Sequence, residues 1–319
     1  MRNFFVLLLL AFAPPALAQG FPSKPVHLVV GFAPGGAADI IARTLGDPLA
    51  RALGQSIIVE NKPGAGSSVA AELVAKASPD GYTIIIASQS GMIINPLINK
   101  NVAYDTARDF AALTQVTSSP LVVAVNPSLK VASIGELIAE AKKAPGKLNF
   151  ATSGNGSLPH LAAALFSALA GVQMVHVPYK SGGQSVQSVL AGDTQVTFAT
   201  APSVMPLVQS GRLRGIAVTT RSRSALVAGL PGMEEAGLPG YNLSIWYGLF
   251  APAATPRDIV KRLFDATVQA LQDARLKEVL ARDGTETMSS RSPEAFAAFL
   301  REETQVTARV IRESGAKFD

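Results

Sequence analysis

Three short stretches carry residues whose types and spacing can do chemistry. VHLVVGFAPGGAADIIAR (residues 26–43) joins a β-branched run to a helical one through Phe32, Ala33, Pro34, Gly35 and Gly36. LNFATSGNGSLPHLAAALF (148–166) repeats that grammar, with Ser153, Gly154, Asn155, Ser157 and His160 at the junction. VPYKSGGQSV (177–186) is a third junction, with Tyr179 and Lys180 ahead of paired glycines. Glycine at a helix start leaves backbone N–H groups bare, and the helix dipole makes that point a site for an anion. The chemistry on offer is non-covalent capture of a carboxylate-type group. The competing reading of each junction is a tight turn that needs glycine for φ > 0 and binds nothing. Sequence leaves both standing.

Other residues divide in the same way. Ser88 and Ser90, in ASQSG (87–91), put hydroxyl donors at the end of a further strand. Asp39 reads as a dipole-complementing or loop-bracing residue rather than a ligand contact. His160 is balanced between a ligand donor and a structural histidine. Tyr179 or Lys180 either closes over a bound anion or belongs to an ordinary solvated turn. Trp246, the only tryptophan, is either a pocket wall or core packing.

The sets that catalysis needs are missing. There is no G-x-S-x-G elbow and no G-x-x-x-x-G-K-[ST] loop, and SGNGS has G-x-G without the third glycine of a nucleotide fingerprint. With no cysteine, and with His27, His160 and His176 scattered, neither a thiolate site nor a histidine metal site is expected. No catalytic residue, metal or cofactor is assigned. The formal charge of +5 is spread along the chain, without the basic stripe and interleaved aromatics of a nucleic-acid binder. It supports at most a weak preference for small anions.

These junctions must be held by regular elements. Residues 1–18 read as a signal peptide: Arg2, the apolar run 4–12, then Ala16-Leu17-Ala18, with cleavage after Ala18. Export and the absence of cysteine suggest a periplasmic location. From Val26 onward short β-branched runs alternate with amphipathic stretches, which is the pattern of an α/β fold with parallel strands. A second alternating set follows PLVVAVNPSLKVAS (120–133), opened by the capping box Ser133-x-x-Glu136. The expected organisation is two α/β lobes: 19–123 for lobe one, 124–244 for lobe two, and 245–319 returning to lobe one with the C-terminal helices. Crossing strands near 121–125 and 244–250 would form a two-strand hinge, with a ligand cleft between the lobes. Thr255-Pro256-Arg257-Asp258 reads as the cap of a helix ending before Gly284. Ser292-Pro293 reads as the start of a last helix ending at Gly315.

At this point the motifs resemble the Bug family, the extracytoplasmic solute receptors of tripartite tricarboxylate transporters. GFAPGGAADIIAR is similar to that family's first glycine loop, NFATSGNGSLPHLA to its second, HVPYKSGGQSV to the segment after it, and LPGYNLSIWYGLFAPAATP to its return strand. Each match alone is modest; four in this order are specific. The resemblance implies a type II periplasmic-binding-protein fold and a carboxylate held by two glycine loops, partly through water. Its implied contacts are Phe32, Ala33, Gly35, Gly36, Ser153, Gly154, Asn155, Ser157 and His160. With Ser88, Ser90, Tyr179 and Thr200 they complete the candidate binding set. The implied partners are a small-molecule carboxylate and the membrane components of a transporter, with the receptor itself a monomer. One departure stands out: many relatives carry Asp and a polar residue after the strand TQVTF, where this chain has Ala199-Thr200. A ligand amine would find one fewer acidic partner, which favours carboxylates lacking an amine. A secreted α/β enzyme acting on a small organic acid, and a receptor feeding a membrane sensor, remain the alternatives.

Overall fold

A computed structural model describes residues 20–315; the expected signal peptide and its cleavage point lie outside them. In chain order the elements are β1 (Val26–Val30), α1 (Ala37–Leu53), β2 (Ile57–Asn61), α2 (Ser68–Ala75), β3 (Thr83–Ser88), a π-helical turn (Ser90–Ile94), α3 (Asn95–Ile98), α4 (Thr106–Asp109) and β4 (Phe110–Val125). Then come α5 (Ile134–Lys143), β5 (Asn149–Thr152), α6 (Leu158–Ala170), β6 (Val175–Pro178), α7 (Gly182–Ala191), β7 (Val196–Thr200), α8 (Ala201–Gln209) and β8 (Arg214–Val218). The chain closes with β9 (Ser244–Pro252), α9 (Arg257–Ala270), α10 (Ala274–Arg282), β10 (Glu286–Thr287) and α11 (Pro293–Ser314).

The strand order is β2-β1-β3-β9-β4-β7-β5-β6, with β8 and β10 each paired to β4. In lobe one β1 pairs in parallel with β2 and β3, and in lobe two β5 pairs in parallel with β6 and β7. The long strand β4 serves both lobes. Its residues 110–120 run against β9 and its residues 121–125 run against β7 and β8. Thr219 ties this crossing to the other one: its hydroxyl accepts from the Leu121 N–H at 2.9 Å and donates to the Leu243 carbonyl at 2.8 Å.

Helical periodicity puts Ile41, Leu45 and Leu49 of α1 fully into the core of lobe one. Each such side chain contributes about 1.5–3 kcal/mol by leaving water. The helix stops at Gly54, whose φ of +79° suits a left-handed cap. Ser133 caps α5 as its sequence implies, accepting from the Glu136 N–H at 3.2 Å while Glu136 accepts from the Ala132 N–H at 2.7 Å. The last helix runs from Pro293 to its Gly315 cap, with Ser292 as N-cap.

Three readings change. β4 begins at Phe110, well before the crossing expected near 121–125; its register shifts at 112/114 and 115/117 break the alternation that would have marked that earlier stretch. Thr255 is not the cap of α9: the helix starts at Arg257, and the Thr255 hydroxyl donates back to the Pro252 carbonyl. The stretch up to Gly284 is two helices, since Asp273 accepts from the Leu276 N–H at 2.9 Å and caps α10 afresh.

Candidate functional site

The first junction, between β1 and α1, is shaped by Gly35 at φ +83° and by an extended Gly36 in the N-cap position, which offers no side-chain acceptor. The first N–H groups of α1 therefore have no cap hydrogen bond. Asp39 holds the loop from behind: its carboxylate accepts from the Gly35 N–H at 3.1 Å, Arg43 Nε at 2.9 Å and Asn61 Nδ2 at 3.0 Å. Asn61 Nδ2 also reaches the Phe32 carbonyl at 3.0 Å. Burial alone would raise the Asp39 pKa, but the hydrogen bonds from Arg43, Gly35 and Asn61, with the charge of Arg43, hold it below the usual carboxylate range. The loop-bracing reading of Asp39 is the one the geometry fits.

The second junction, between β5 and α6, turns on Gly154 (φ +118°) and Gly156 (φ +69°). Ser157 is the N-cap; its hydroxyl donates to the Gly154 carbonyl at 2.7 Å and accepts from the His160 N–H at 3.3 Å. The His160 ring is buried and stacks at 3.8 Å on His176, which stacks in turn on Phe150 at 5.0 Å. His176 Nε2 lies 2.6 Å from Thr152 Oγ1, and that hydroxyl also accepts from the Gly154 N–H. Burial lowers the pKa of His160 to about 4, and burial with the neighbouring ring lowers that of His176 to about 3. Both rings are neutral at pH 7.

Two more helix starts join these. Ser181 caps α7, accepting from the Gln184 N–H at 3.3 Å, and Thr200 stands at the N-cap of α8 with its hydroxyl 2.9 Å from Ser203 Oγ. The N-termini of α1, α6, α7 and α8 all line one cavity of about 20 Å³ between the lobes. That volume holds about one water. No Asp, Glu, Lys, Arg or His is among its lining residues. The lobes also touch directly around it. The Ala33 N–H donates to the Lys180 carbonyl at 3.0 Å, the Leu158 N–H to Ser90 Oγ at 3.0 Å, and Asn95 Nδ2 to the Gly156 carbonyl at 3.4 Å.

Of the candidate residues, Phe32, Gly36, Ser90, Ser153 and Thr200 line the cavity. Ala33, Gly154 and Ser157 build the loops, while Gly35 and Tyr179 line a separate groove and Asn155 another hollow. The Tyr179 hydroxyl donates to Ser188 Oγ at 2.6 Å. Ser88 is fully buried, its hydroxyl accepting from the Ser90 N–H, and the His160 ring is taken up by its stack in lobe two. Trp246 packs in the core, edge-on to Phe296 and Phe299, with Nε1 donating to Glu303 at 3.3 Å. Gln89 grips β9 rather than the cleft, through the Ser244 carbonyl and the Trp246 N–H.

Sequence reading missed Gly182, Ser185, Ile245 and Tyr247, all of which line the cavity. The first two sit in the third junction, where Tyr179 and Lys180 carry the more conspicuous donors. The other two flank Trp246 on a strand, and alternation sends them to the opposite face.

Paired parallel sheets joined through a crossing strand, with helix starts turned to the gap, define a ligand-binding receptor of the type II periplasmic-binding-protein fold. Residues 41–316 match the tripartite tricarboxylate transporter family receptor model, and the chain belongs to that family of periplasmic receptors. Protein BugT of Bordetella pertussis is 34% identical over 306 residues, covering 96% of this chain and 94% of BugT. Among solved structures, R. palustris Rpa4515 with adipate is 32% identical with a TM-score of 0.89, covering 92% of this chain and 98% of that one. MatC (Rpa3494) from Rhodopseudomonas palustris with bound malate is 29% identical with a TM-score of 0.87, covering 91% and 100%.

Proposed function

We propose that this chain is an exported solute receptor that captures a small carboxylate between its lobes and delivers it to the membrane components of a tripartite transporter. The observation that carries the reading is the convergence of four helix N-termini, from both lobes, on one cleft without a charged side chain. Dipoles and N–H groups hold an anion there, and no histidine, carboxylate or lysine base lines the cleft to activate its hydroxyls, which favours a receptor over an enzyme. The adipate and malate bound by its structural neighbours support the same ligand class.

The division at 19–123, 124–244 and 245–319 gives each lobe its own sheet, with closure by rotation about β4 and the entry to β9. A cavity of about 20 Å³ is too small for any organic acid, so a ligand enters while the lobes are apart and is enclosed when they meet. An acidic partner for an ammonium group is lacking among the lining residues, and Asp39 is spent on its loop, which favours acids without an amine. Phe32, Ala33, Gly35 and Gly36 would form one jaw, and Ser153, Gly154, Asn155 and Ser157 the other. Ser90 and Thr200 stand between them, Ser88 lies under Ser90, and His160 and Tyr179 act from behind the loops. The receptor works as a monomer in the periplasm after cleavage following Ala18.

The test is a thermal-shift panel on the mature chain: mono-, di- and tricarboxylates, acidic amino acids, and the neutral amide of each acid. A ligand at about 100 times its dissociation constant adds about 2.7 kcal/mol to folded-state stability. The expected result is that one acid raises the midpoint by several degrees while its amide does not. Equal shifts by acid and amide would remove the anion-capture mechanism, and recovery of a chemically altered ligand would turn the assignment to an enzyme.

A further inference from the structure

Of the five tyrosines, four have a protein partner for the hydroxyl. Tyr82 meets the Ser23 N–H at 2.8 Å, Tyr104 donates to the Gly91 carbonyl, Tyr179 to Ser188 Oγ at 2.6 Å and Tyr241 to the Ala162 carbonyl at 2.7 Å. The fifth, Tyr247, makes no side-chain hydrogen bond to any described residue, although it is only 4% exposed. The hydroxyl is not one of the buried atoms left without a partner, so it opens onto the cleft, where a bound molecule can meet it. It lines the cavity where the four helix starts converge.

Its position follows from the strand. β9 alternates, sending Trp246 and Phe250 to the aromatic cluster under α11, and Ile245, Tyr247 and Leu249 to the opposite face. Tyr247 is registered against Ser88 of β3 and Thr117 of β4, in the middle of the sheet of lobe one. It thus stands on the floor of the cleft, on an element that both lobes close over, while the N–H groups form the walls. Burial raises the phenol pKa, so the hydroxyl keeps its proton at neutral pH and donates.

We infer that Tyr247 is a specificity-determining residue that donates a hydrogen bond to a second oxygen acceptor on the ligand, selecting acids with a distal carboxylate, hydroxyl or keto oxygen over plain alkyl monoacids. This rests on the carboxylate-receptor reading above. An alkyl tail enclosed against the phenol would leave the hydroxyl desolvated and unpaired, and a site built to pair a polar group rejects analogues that lack it. The walls supply charge complementarity to one end of the ligand; the floor reads what the other end is made of.

The experiment measures dissociation constants by calorimetry for malate against butyrate and for adipate against hexanoate, each pair matched in carbon number. Wild type and Tyr247→Phe are compared, together with their midpoints of unfolding without ligand. The expected wild-type result is that at least one diacid binds more tightly than its monoacid by roughly tenfold or more. In Tyr247→Phe that preference collapses by weakening of the diacid alone, with monoacid affinity kept and the unliganded midpoint unchanged or raised. A variant that keeps the preference, or that loses diacid and monoacid alike, overturns the role. Wild type binding none of these four acids and no carboxylate of the thermal panel overturns the carboxylate reading itself, a result seen before any variant is made.

Discussion

Gly183 offers a substitution whose effects on folding and on ligand binding have opposite signs. It lies in the first turn of α7, and its φ is outside the left-handed region, so alanine fits the backbone there. Replacing an in-helix glycine by alanine gains up to about 1 kcal/mol. A Cβ at Gly183, however, falls 2.5 Å from the carbonyl oxygen of Gly35 and 2.9 Å from its carbon, across the gap in the other lobe. These are backbone atoms of a loop braced through the Gly35 N–H to Asp39, so they yield only with the whole junction. Overpacking of this kind costs about 1–3 kcal/mol, and it acts only when the lobes are together. Gly183→Ala should therefore melt up to about 2 °C higher without ligand, yet bind its best acid about 5- to 150-fold more weakly. Calorimetry with malate and adipate, beside thermal unfolding of the unliganded chain, reads both effects. Unchanged affinity in a variant of undiminished stability would refute the reasoning, because the bound lobes would then not meet at Gly35 and Gly183.

Three further outcomes are expected. Gly36→Val keeps an allowed backbone, but its Cβ would lie 3.3 Å from Ser181 Cβ and its methyls would cover the first N–H groups of α1; ligand affinity should fall by roughly 100-fold or more at little cost in midpoint, and retained affinity would return the glycines to turn formers. Asp39 has a lowered folded pKa, so its stabilisation is present above the unfolded carboxylate value of about 3.9 and is lost as pH falls through the folded one. Asp39→Asn, which turns an amide toward three donors, should cost about 1–3 kcal/mol in urea titration at pH 7, and progressively less as pH falls through the folded value. His160 and His176 have folded values of about 4 and about 3 against an ordinary 6.5, so the unfolded chain takes up protons first as pH drops. Full stability should hold above pH 6.5 and decline below it, by up to about 1.4 kcal/mol per pH unit for each ring. His176→Phe should make that decline shallower between pH 6.5 and 4.5, and an unaltered slope would count against burial as its cause.

What was legible in the sequence is what local chemistry decides. The glycine junctions at Gly35-Gly36 and 153–157, the Ser133 cap and the span from Ser292 to Gly315 are each written within a few residues. The bulges of β4 were not, because a strand with shifted register loses the period that reveals it. Nor was the end of α9, where Asp273 reads as one more polar helix residue until it is seen capping α10. Neighbours supplied by convergence were hidden for a different reason. Nothing near Tyr247 says that β9 crosses the floor of the cleft, and nothing near His160 says that the pairing of β5 with β6 brings His176 beneath it. Such neighbours are set by topology rather than by spacing along the chain.

The central claim, capture of an acid by helix N-termini from both lobes, is most directly tested by amide resonances of the isotopically labelled mature chain. They would be followed during titration with the acid that stands out in the thermal panel. The expected result is saturable movement of the Ala37, Ala38, Gly182 and Ala201 N–H signals with one shared dissociation constant, and no such movement with the matching amide. Shifts confined to one lobe, or centred away from these helix starts, would contradict it.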